Sequence, residues 1–216
     1  MTSSVPASTP ASRPVEVGQR PAGTRAPAAR SSRRDDVLRE AARLFATHGF
    51  HGVSIEQLGA AIGISGPGIY RHFPSKNAIL AAMLIGVSEK LRTDGDAAVR
   101  ANPAARDALD RLVTLHVAFA LDEPHLITVQ DRDLANLPRA EEHRVRRLQR
   151  AYVETWAGVL RRIHGNLGVV ESRARAHALF GLLNSTPHSA TELDRDTMAG
   201  ILRDLALSAA LVEPTR

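Results

Sequence analysis

Apolar residues recur at intervals of three and four positions along most of this chain, which is the spacing of amphipathic helices. In the first such segment, Val37, Ala41, Leu44 and Phe45 share one helical face. No stretch shows sustained alternation of apolar and polar positions, so the pattern predicts an all-α fold without strands. Helices are predicted over residues 32–48, 54–62, 65–73, 76–92, 104–121, 124–136, 139–164, 171–185 and 194–211.

Two short helices between positions 54 and 73 are joined by a tight turn. Ser54 and Gln57 have the spacing of a capping box, and Gly63 is placed to adopt the left-handed conformation that ends the second helix. Ser65 caps the third helix, and Pro74 ends it. With the first helix as a brace, this arrangement predicts a helix-turn-helix whose last helix is free to enter the major groove of DNA.

The polar side chains of this segment suit a DNA backbone. The start of the third predicted helix, residues 65–68, is nearly bare of side chains, so its main-chain amides can approach phosphate closely. Tyr70, His72 and Lys76 can hydrogen-bond phosphate oxygens, and Arg71 can reach a guanine edge. The alternative roles are packing within the domain for Tyr70 and His72 and a solvated surface charge for Lys76.

Charge is concentrated at the start of the chain. The net charge is +5, and residues 1–34 carry six arginines and one acid, so the remainder sums to zero. Residues 1–31 are rich in Pro, Ala, Ser and Arg, and we expect them to form a disordered basic arm, either solubilising or binding phosphate. Arg33 and Arg34 favour DNA binding because they adjoin the first helix. The absence of cysteine excludes disulfides and thiolate chemistry.

The helix-turn-helix region resembles the N-terminal DNA-binding domain of the TetR (tetracycline-repressor-like) family of bacterial regulators. The resemblance covers about residues 33–85 and is carried by His48-Gly49-Phe50, by Ile62-Gly63-Ile64-Ser65 and above all by IYRHFPSK, residues 69–76. It implies a three-helix DNA-binding unit, a connecting fourth helix and a C-terminal helical domain for ligand binding and dimerisation. We therefore expect a DNA-binding domain over 32–80 and an effector-binding and dimerisation domain over 81–216.

The resemblance also implies residue roles. Ser54, Tyr70, His72 and Lys76 would contact phosphate, while Ser65 and the positions of Gly66 and Gly68 would lie near the bases. The family often has Lys at the first of these glycines and Thr, Ser or Ala at the second, so side-chain reading there is lost. We expect specificity to shift to Arg71, to the basic arm or to DNA shape. The candidate DNA-binding residues are Arg33, Arg34, Ser54, Ser65, Gly66, Gly68, Tyr70, Arg71, His72 and Lys76.

In the C-terminal half, polar and aromatic residues interrupt apolar helical stripes. By the resemblance, a small-molecule effector would bind between these helices, although core packing is the alternative for each side chain alone. The candidate ligand-binding residues are His116, Phe119, Asp131, Arg132, Tyr152, Trp156, Phe180 and Asn184. Five arginines of the predicted helix 139–164 form either a solvated face or a site for an anionic effector such as an acyl-coenzyme A, namely Arg139, Arg144, Arg146, Arg147 and Arg150.

The last two predicted helices are rich in small and aliphatic residues. Together they suit a four-helix seam across a two-fold axis, or else they close the core of the monomer. The resemblance favours the homodimer. The faces concerned are Ala174, Ala178, Gly181 and Leu182 on the first helix and Ala199, Ile201, Leu202, Leu205 and Ala206 on the second.

These observations predict a cytoplasmic, ligand-responsive transcriptional regulator, most simply a repressor released from a palindromic operator by a small-molecule effector such as a lipid-like compound or an acyl-coenzyme A. The alternatives are an effector-independent DNA-binding protein and a helical enzyme. The enzyme is disfavoured because the nine histidines are scattered and no metal-binding or phosphate-binding motif is present. We therefore expect no catalysis, no cofactor, no metal and no membrane span.

Overall fold

The computed structural model describes residues 1–2, 32–189 and 193–213, and those after position 31 belong to one compact unit, Ser31–Arg216. The predicted basic arm, residues 1–31, lies almost wholly outside the described residues. Within them every regular element is helical, which confirms the all-α prediction. The elements are α1 (Arg33–His48), α2 (Ile55–Ala61), α3 (Gly66–Tyr70), α4 (Lys76–Ala101), α5 (Ala105–Asp122), α6 (Pro124–Asp133), a 3-10 segment (Leu134–Asn136), α7 (Arg139–Ile163), α8 (Val169–Leu183), α9 (Thr186–Ser189) and α10 (Arg195–Ala210).

The third helix is shorter than its sequence suggests. It ends at Tyr70, so Arg71 and His72 lie just beyond it and not on it. The amides of His72 and Phe73 both donate to the carbonyl of Ile69, at 2.9 and 3.0 Å, which folds the chain back into a turn before α4. The prediction that this helix runs to Phe73 was therefore wrong by about three residues.

The fourth helix is longer than predicted, because Gly95 does not break it. A Cβ atom at this position would lie 2.6 Å from Cε2 of Tyr152 on α7, so the glycine lets α4 and α7 approach closely. The predicted break at Thr93 to Asp96 is instead a continuous helical stretch. The predicted break at Thr186 also proves to be helical, as the single turn α9.

Two apolar cores lie within this unit. The first surrounds Phe45, Leu58 and Ile69 of α1 to α3 and includes Leu80 of α4 and Val129 of α6. Because α4 and α6 contribute to it, the DNA-binding unit is packed directly against helices that follow it. The second core is built by α5, α7, α8 and α10 around the fully buried Trp156.

The outer faces of α8 and α10 match the predicted seam only in part. Ala174, Ala178 and Gly181 are exposed on α8. On α10, Ile201 and Leu205 are 40% and 53% exposed. However, Leu202 and Ala206 are buried in the monomer's own core, which is the alternative role that the sequence left open for them. The helix has both an inner and an outer apolar stripe.

No single helix among the described residues is long and apolar enough to cross a membrane. By length and composition alone, one bent pair, α5 with α6 and the 3-10 segment, passes as a broken span.

Candidate nucleic-acid interface and ligand cavity

The turn between α2 and α3 is closed by glycine. Gly63 has a φ of +71°, and the amide of Ile64 donates to the carbonyl of Gly59 at 2.9 Å. A Cβ atom on Gly59 would lie 2.6 Å from the carbonyl oxygen of Ile64, so only glycine lets the turn lie on α2. At the start of α2, Ser54 and Gln57 form the predicted capping box. These contacts set the angle at which α3 leaves the turn.

A continuous surface of polar side chains follows α3. Tyr70 is 52% exposed although it is aromatic, and Ser65, Arg71 and His72 are exposed beside it. Ser65 makes no side-chain capping hydrogen bond, which leaves its hydroxyl for another partner. A tyrosine this exposed has little role in packing, so the geometry favours an outward-facing function for it.

The two glycines of α3 differ in their surroundings. Gly66 is buried, and a Cβ atom there would lie 3.5 Å from a carboxylate oxygen of Glu56 on α2. The prediction that the start of α3 is open was therefore wrong at Gly66, because α2 covers that residue. Gly68 is half-buried beside Ile64 and the hydroxyl of Ser65. The exposed front of the helix is formed by Ser65 and its neighbour Pro67.

Three of the predicted cationic contacts are held by the domain itself. The guanidinium of Arg33 donates to the carbonyl of Ile62 at 3.5 Å, and that of Arg34 lies 4.5 Å from the centre of the Phe73 ring. Lys76 donates to the carbonyl of Val53 at 2.8 Å and lies 4.6 Å from the centre of the Phe50 ring. These side chains brace the helix-turn-helix, and the structure does not present Lys76 as a free charge.

An inner cavity of about 420 Å³ lies between α4, α5, α6, α7 and α8. Seven of the eight ligand-binding candidates from the sequence line this cavity. The eighth, Trp156, is fully buried behind it, and its Nε1 has no hydrogen-bond partner among the described residues. The seven that line the cavity are His116, Phe119, Asp131, Arg132, Tyr152, Phe180 and Asn184. The fold thus gathers side chains that are up to 68 positions apart, as are His116 and Asn184.

A polar triad lies in the wall of this cavity. The Nε2 atom of His116 lies 3.0 Å from Oδ1 of Asn184, and its Nδ1 atom lies 3.3 Å from the Tyr152 hydroxyl. Burial lowers the pKa of His116 to about 4, against the opposing effect of the Asn184 bond, so the imidazole is neutral near pH 7. Since an amide oxygen only accepts, Nε2 carries the proton and Tyr152 donates to Nδ1. Burial also raises the pKa of Tyr152, which therefore remains protonated.

Acidic and basic side chains both lie at this cavity. Burial raises the pKa of Asp131, and the nearby His188 opposes that effect. Among the five arginines noted on α7, Arg146 lines the cavity, where it also pairs with Glu142 at 2.8 Å. Arg144 pairs instead with Glu89 of α4 at 2.6 Å. Within the described residues, no group of three or more potential ligating side chains is placed to hold a metal ion.

A second, outer cavity of about 610 Å³ was not predicted from the sequence. It lies between α1, α4, α5 and the start of α6, and its apolar lining includes Leu38, Met83 and Leu126. Each helix contributes only a few of the lining residues, and each of these fits an ordinary amphipathic stripe. No local pattern therefore marks the cavity.

Family comparisons bear on both halves of the chain. The family described as "Bacterial regulatory proteins, tetR family" matches residues 37–83, which span α1 to α3 and the start of α4. The family described as "Tetracyclin repressor-like, C-terminal domain" matches residues 102–189, which include most of the inner cavity. The chain belongs to the TetR family of bacterial regulatory proteins.

Two curated relatives agree with this assignment. The HTH-type transcriptional repressor KstR2 of Rhodococcus jostii is 29% identical over 61% of this chain and 65% of its own length. The HTH-type transcriptional regulator EthR of Mycolicibacterium smegmatis is 36% identical over 38% of this chain and 41% of its own length. The chain thus spans less than two thirds of either relative.

Solved TetR-family structures share the fold. PfmR of Thermus thermophilus superposes with a TM-score of 0.72 at 21% identity, covering 86% of this chain and 99% of PfmR. AibR, solved with isovaleryl coenzyme A and operator DNA, superposes with a TM-score of 0.67 at 16% identity, covering 81% of this chain and 97% of AibR.

In this TetR-family chain, α6 and the 3-10 segment join the inner cavity to the DNA-binding unit. Arg132, in the cavity wall, donates to the carbonyl of Phe45 and to that of its neighbour at the end of α1. Asn136 bonds His51 through its side chain at 2.9 Å and Asn77 through its carbonyl at 3.0 Å. A displacement of this segment would therefore change hydrogen bonds at three positions of the helix-turn-helix unit, namely the end of α1, His51 and Asn77.

Proposed function

We propose that this protein is a homodimeric, one-component transcriptional regulator that binds a palindromic operator and releases it when a small-molecule effector occupies the inner cavity. One observation carries the proposal: a single segment, α6 with the 3-10 turn, forms part of the cavity wall and is hydrogen-bonded to the helix-turn-helix unit. In this proposal residues 32–80 bind DNA, and residues 81–216 bind the effector and the second subunit.

The DNA contacts follow from the exposed surface around α3. Tyr70 and His72 bind phosphate, Arg71 reaches a base edge, and the hydroxyls of Ser54 and Ser65 donate to backbone oxygens. The Ser54 hydroxyl accepts from the amide of Gln57 at 3.1 Å and also interacts with the Glu56 carboxylate, so a phosphate contact would replace that second partner. Arg33, Arg34 and Lys76 add positive charge to this surface while bracing the domain.

The second subunit packs against α8 and α10. The exposed Val170, Ile201 and Leu205 are large apolar side chains that water would otherwise cover. A two-fold interface over these helices places two copies of α3 in successive major grooves, roughly 34–36 Å apart. Repression of its own gene or of a neighbouring gene follows if such a dimer occludes a promoter, and the relative KstR2 is itself a transcriptional repressor.

Release follows from a shift in population. An effector that fits the inner cavity better when the two α3 helices are wrongly spaced for the operator favours that state and lowers the affinity for DNA. The α6 segment is the mechanical link, since it joins the cavity wall to α1, to the loop after it and to α4. In this proposal the protein acts in the cytoplasm, as a binding protein and not as an enzyme.

The cavity suits an amphipathic effector with an apolar chain and a head rich in hydrogen-bond acceptors. The aromatic side chains of the cavity wall supply apolar contact, and Arg146, Gln149 and Asn184 supply hydrogen-bond donors. Acyl-coenzyme A fits this description, and AibR is a TetR-family structure that holds isovaleryl coenzyme A. Titration with acyl-coenzyme A of several chain lengths tests the assignment, and the absence of any binding would end it.

Gel shift on DNA upstream of the gene and its neighbours tests the proposed function. The expected result is a sequence-specific complex that is weakened in Tyr70→Phe and His72→Ala and dissociated by the effector. His125→Ala, which changes an exposed histidine on α6, is the matched control and should bind as wild type. Unchanged affinity in both α3 variants would refute the phosphate contacts, and no specific complex at all would refute the regulator.

A further inference from the structure

The inner and outer cavities share a wall. Leu91 of α4, Phe119 of α5 and Tyr152 of α7 line both of them. Phe119 is partly exposed, and its ring meets that of His116 edge-on with centroids 5.6 Å apart. The two cavities are therefore neighbouring chambers that three side chains divide. Leu91 and Phe119 are only partly buried, so rotation of these two side chains can join the chambers past Tyr152, which is packed in the core.

The outer chamber favours an apolar group and disfavours an anion. Its apolar lining comes mainly from α1, α4 and α5, with Leu126 of α6. Four carboxylates and two cations stand at its rim, and most of the cationic charge is already engaged. Lys90 pairs with Asp94 at 2.6 Å, and Arg39 pairs with the neighbouring Asp36 at 3.2 Å. The rim residues are Asp35, Arg39, Lys90, Asp94, Asp122 and Glu123.

The inner chamber has the opposite preference. Arg132, Arg146 and the amides of Gln130, Gln149 and Asn184 line it, against the carboxylate of Asp131. Arg132 bonds α1 and Asp133, and Arg146 pairs with Glu142 through its Nε. The terminal N–H groups of Arg146 and the amides of Gln130, Gln149 and Asn184 are the donors that line the chamber for a head, so an acceptor-rich head is favoured there and an apolar tail in the outer chamber. The two chambers thus give a bound amphiphile a direction.

We propose that the two chambers form one bipartite site for a linear acyl chain with an acceptor-rich polar head. The head lies in the inner chamber, and the chain passes between Leu91, Phe119 and Tyr152. The far methylenes of a long chain then rest on Leu38 and Ala42 of α1. This inference rests on the proposed function, which it deepens by making chain length a determinant of the response.

The physical consequence is a second route to the DNA-binding unit. A short chain fills only the inner chamber and acts through α6. A long chain also contacts α1, the first helix of the DNA-binding unit, and each further buried methylene adds to its affinity. The head can be a free carboxylate, or the thioester end of a coenzyme A whose nucleotide extends out of the chamber, because both offer acceptor oxygens to the same donors.

Gly86 provides a way to close the outer chamber alone. It lines that chamber from α4, and a Cβ atom there would meet nothing within 4 Å. Gly86→Leu therefore adds its Cβ without a clash, places a larger apolar side chain at the chamber wall and is a residue that favours helix. Gly158→Leu on α7 is the matched control, because that glycine also has open space and lines neither chamber.

Binding is followed by the fluorescence of Trp156, the single tryptophan, whose ring centre lies 5.1 Å from that of Phe180 in the inner chamber wall. The probes are hexanoate, decanoate and hexadecanoate and their coenzyme A thioesters, which distinguish the two kinds of head. The expected result is that Gly86→Leu weakens hexadecanoyl binding by at least about tenfold and leaves hexanoyl binding unchanged. Gly158→Leu should change neither.

A second variant at the same position tests the site without relying on a side chain that blocks the outer chamber. The chain has no cysteine, so Gly86→Cys places a single thiol in the outer chamber and Gly158→Cys places one elsewhere. Reaction of the Gly86→Cys thiol with a disulfide reagent should be slowed by hexadecanoyl but not hexanoyl ligands, while Gly158→Cys should react alike with both. If long chains bind yet neither Gly86 variant differs from its control, the bipartite site is refuted and the regulator stands. If no probe of either head binds while operator binding persists, the acyl effector is refuted.

Discussion

The guanidinium of Arg132 on α6 donates to the main-chain carbonyl of Phe45 in the last turn of α1. The same group reaches the carbonyl of Ala46 at 3.2 Å and the buried carboxylate of Asp133 at 3.0 Å. The Phe45 carbonyl also accepts from the amide of Gly49 at 2.8 Å, and carbonyls at the end of a helix carry partial negative charge that favours a cation. The residue proposed from the sequence as a ligand contact is therefore also a clamp between α6 and the DNA-binding unit.

Arg132→Ala should loosen this clamp. We expect the protein to lose about 1–3 kcal/mol of unfolding free energy, because Asp133 and two helix-end carbonyls lose a charged donor. The ratio of operator affinities without and with effector should also shrink, since the link between cavity and helix-turn-helix is weaker. Gel shift and urea unfolding measure the two effects. Arg147→Ala, an exposed arginine of α7, is the control, and an unchanged affinity ratio in Arg132→Ala would contradict the clamp.

Gly95→Ala should destabilise the protein even though alanine favours helix. The added Cβ would meet the Tyr152 ring at 2.6 Å and Leu112 at 3.4 Å, and the ring is packed in the core. Overpacking of this kind costs about 1–3 kcal/mol, against a gain of about 1 kcal/mol in helix propensity. Gly86→Ala on the same helix meets nothing and should stabilise by about 0.5–1 kcal/mol. The measurement is thermal unfolding of both variants, and melting temperatures that shift in the same direction would contradict this prediction.

Lys76 and Tyr70 should separate stability from DNA binding. Lys76→Met removes the bond to the Val53 carbonyl and the contact with the Phe50 ring, so we expect a loss of about 1–2 kcal/mol in unfolding free energy. Tyr70→Phe removes only an outward hydroxyl and should leave stability within about 0.5 kcal/mol of wild type while weakening operator binding. Urea unfolding and gel shift on each variant check this, and a destabilised Tyr70→Phe protein would place that hydroxyl inside the fold.

The stability of the protein should fall in mild acid through His116. Burial holds the pKa of this imidazole at about 4, below its ordinary value of 6.5, so below pH 6.5 the unfolded chain binds a proton that the folded chain does not. The stability associated with neutral His116 is complete above pH 6.5 and is lost as the pH falls toward 4, to a limit of about 3 kcal/mol. His116→Gln retains a donor for Asn184 and should flatten this slope. Urea unfolding at pH 7, 6 and 5 compares the two proteins, and parallel slopes would count against the neutral buried imidazole.

The exposed stripe of α10 should control assembly. Leu205→Asp, together with Ile201→Asp, places charge at the centre of the proposed two-fold interface, where an unpaired carboxylate is costly to bury. We expect monomers by analytical ultracentrifugation and loss of operator binding, with helical content retained because both side chains are exposed in the monomer. Leu193→Asp, just before α10, is the control for an exposed leucine off the stripe. A double variant that still sediments as a dimer would show that the interface lies elsewhere on the protein.

Several elements of this protein were determined by local sequence alone. Most helices, the capping box of Ser54 and Gln57 and the left-handed Gly63 follow from contacts within a few residues, so local patterns suffice to predict them, although not the ends of α3 and α4. The family follows from the same local motif around Tyr70. Seven of the eight cavity candidates were also identified, because polar and aromatic side chains on apolar stripes are visible without knowing what they face.

Other properties were decided by tertiary structure. Gly95 looks like a helix break in sequence, but its role is to admit the Tyr152 ring from a helix more than 50 positions away. Lys76 looks like a free charge until the loop carbonyl of Val53 is folded against it. Trp156 and the outer cavity show the same limit, since burial and empty space depend on how distant helices pack. A local pattern specifies which face of a helix is apolar, but only packing decides which neighbour covers that face and what space is left between them.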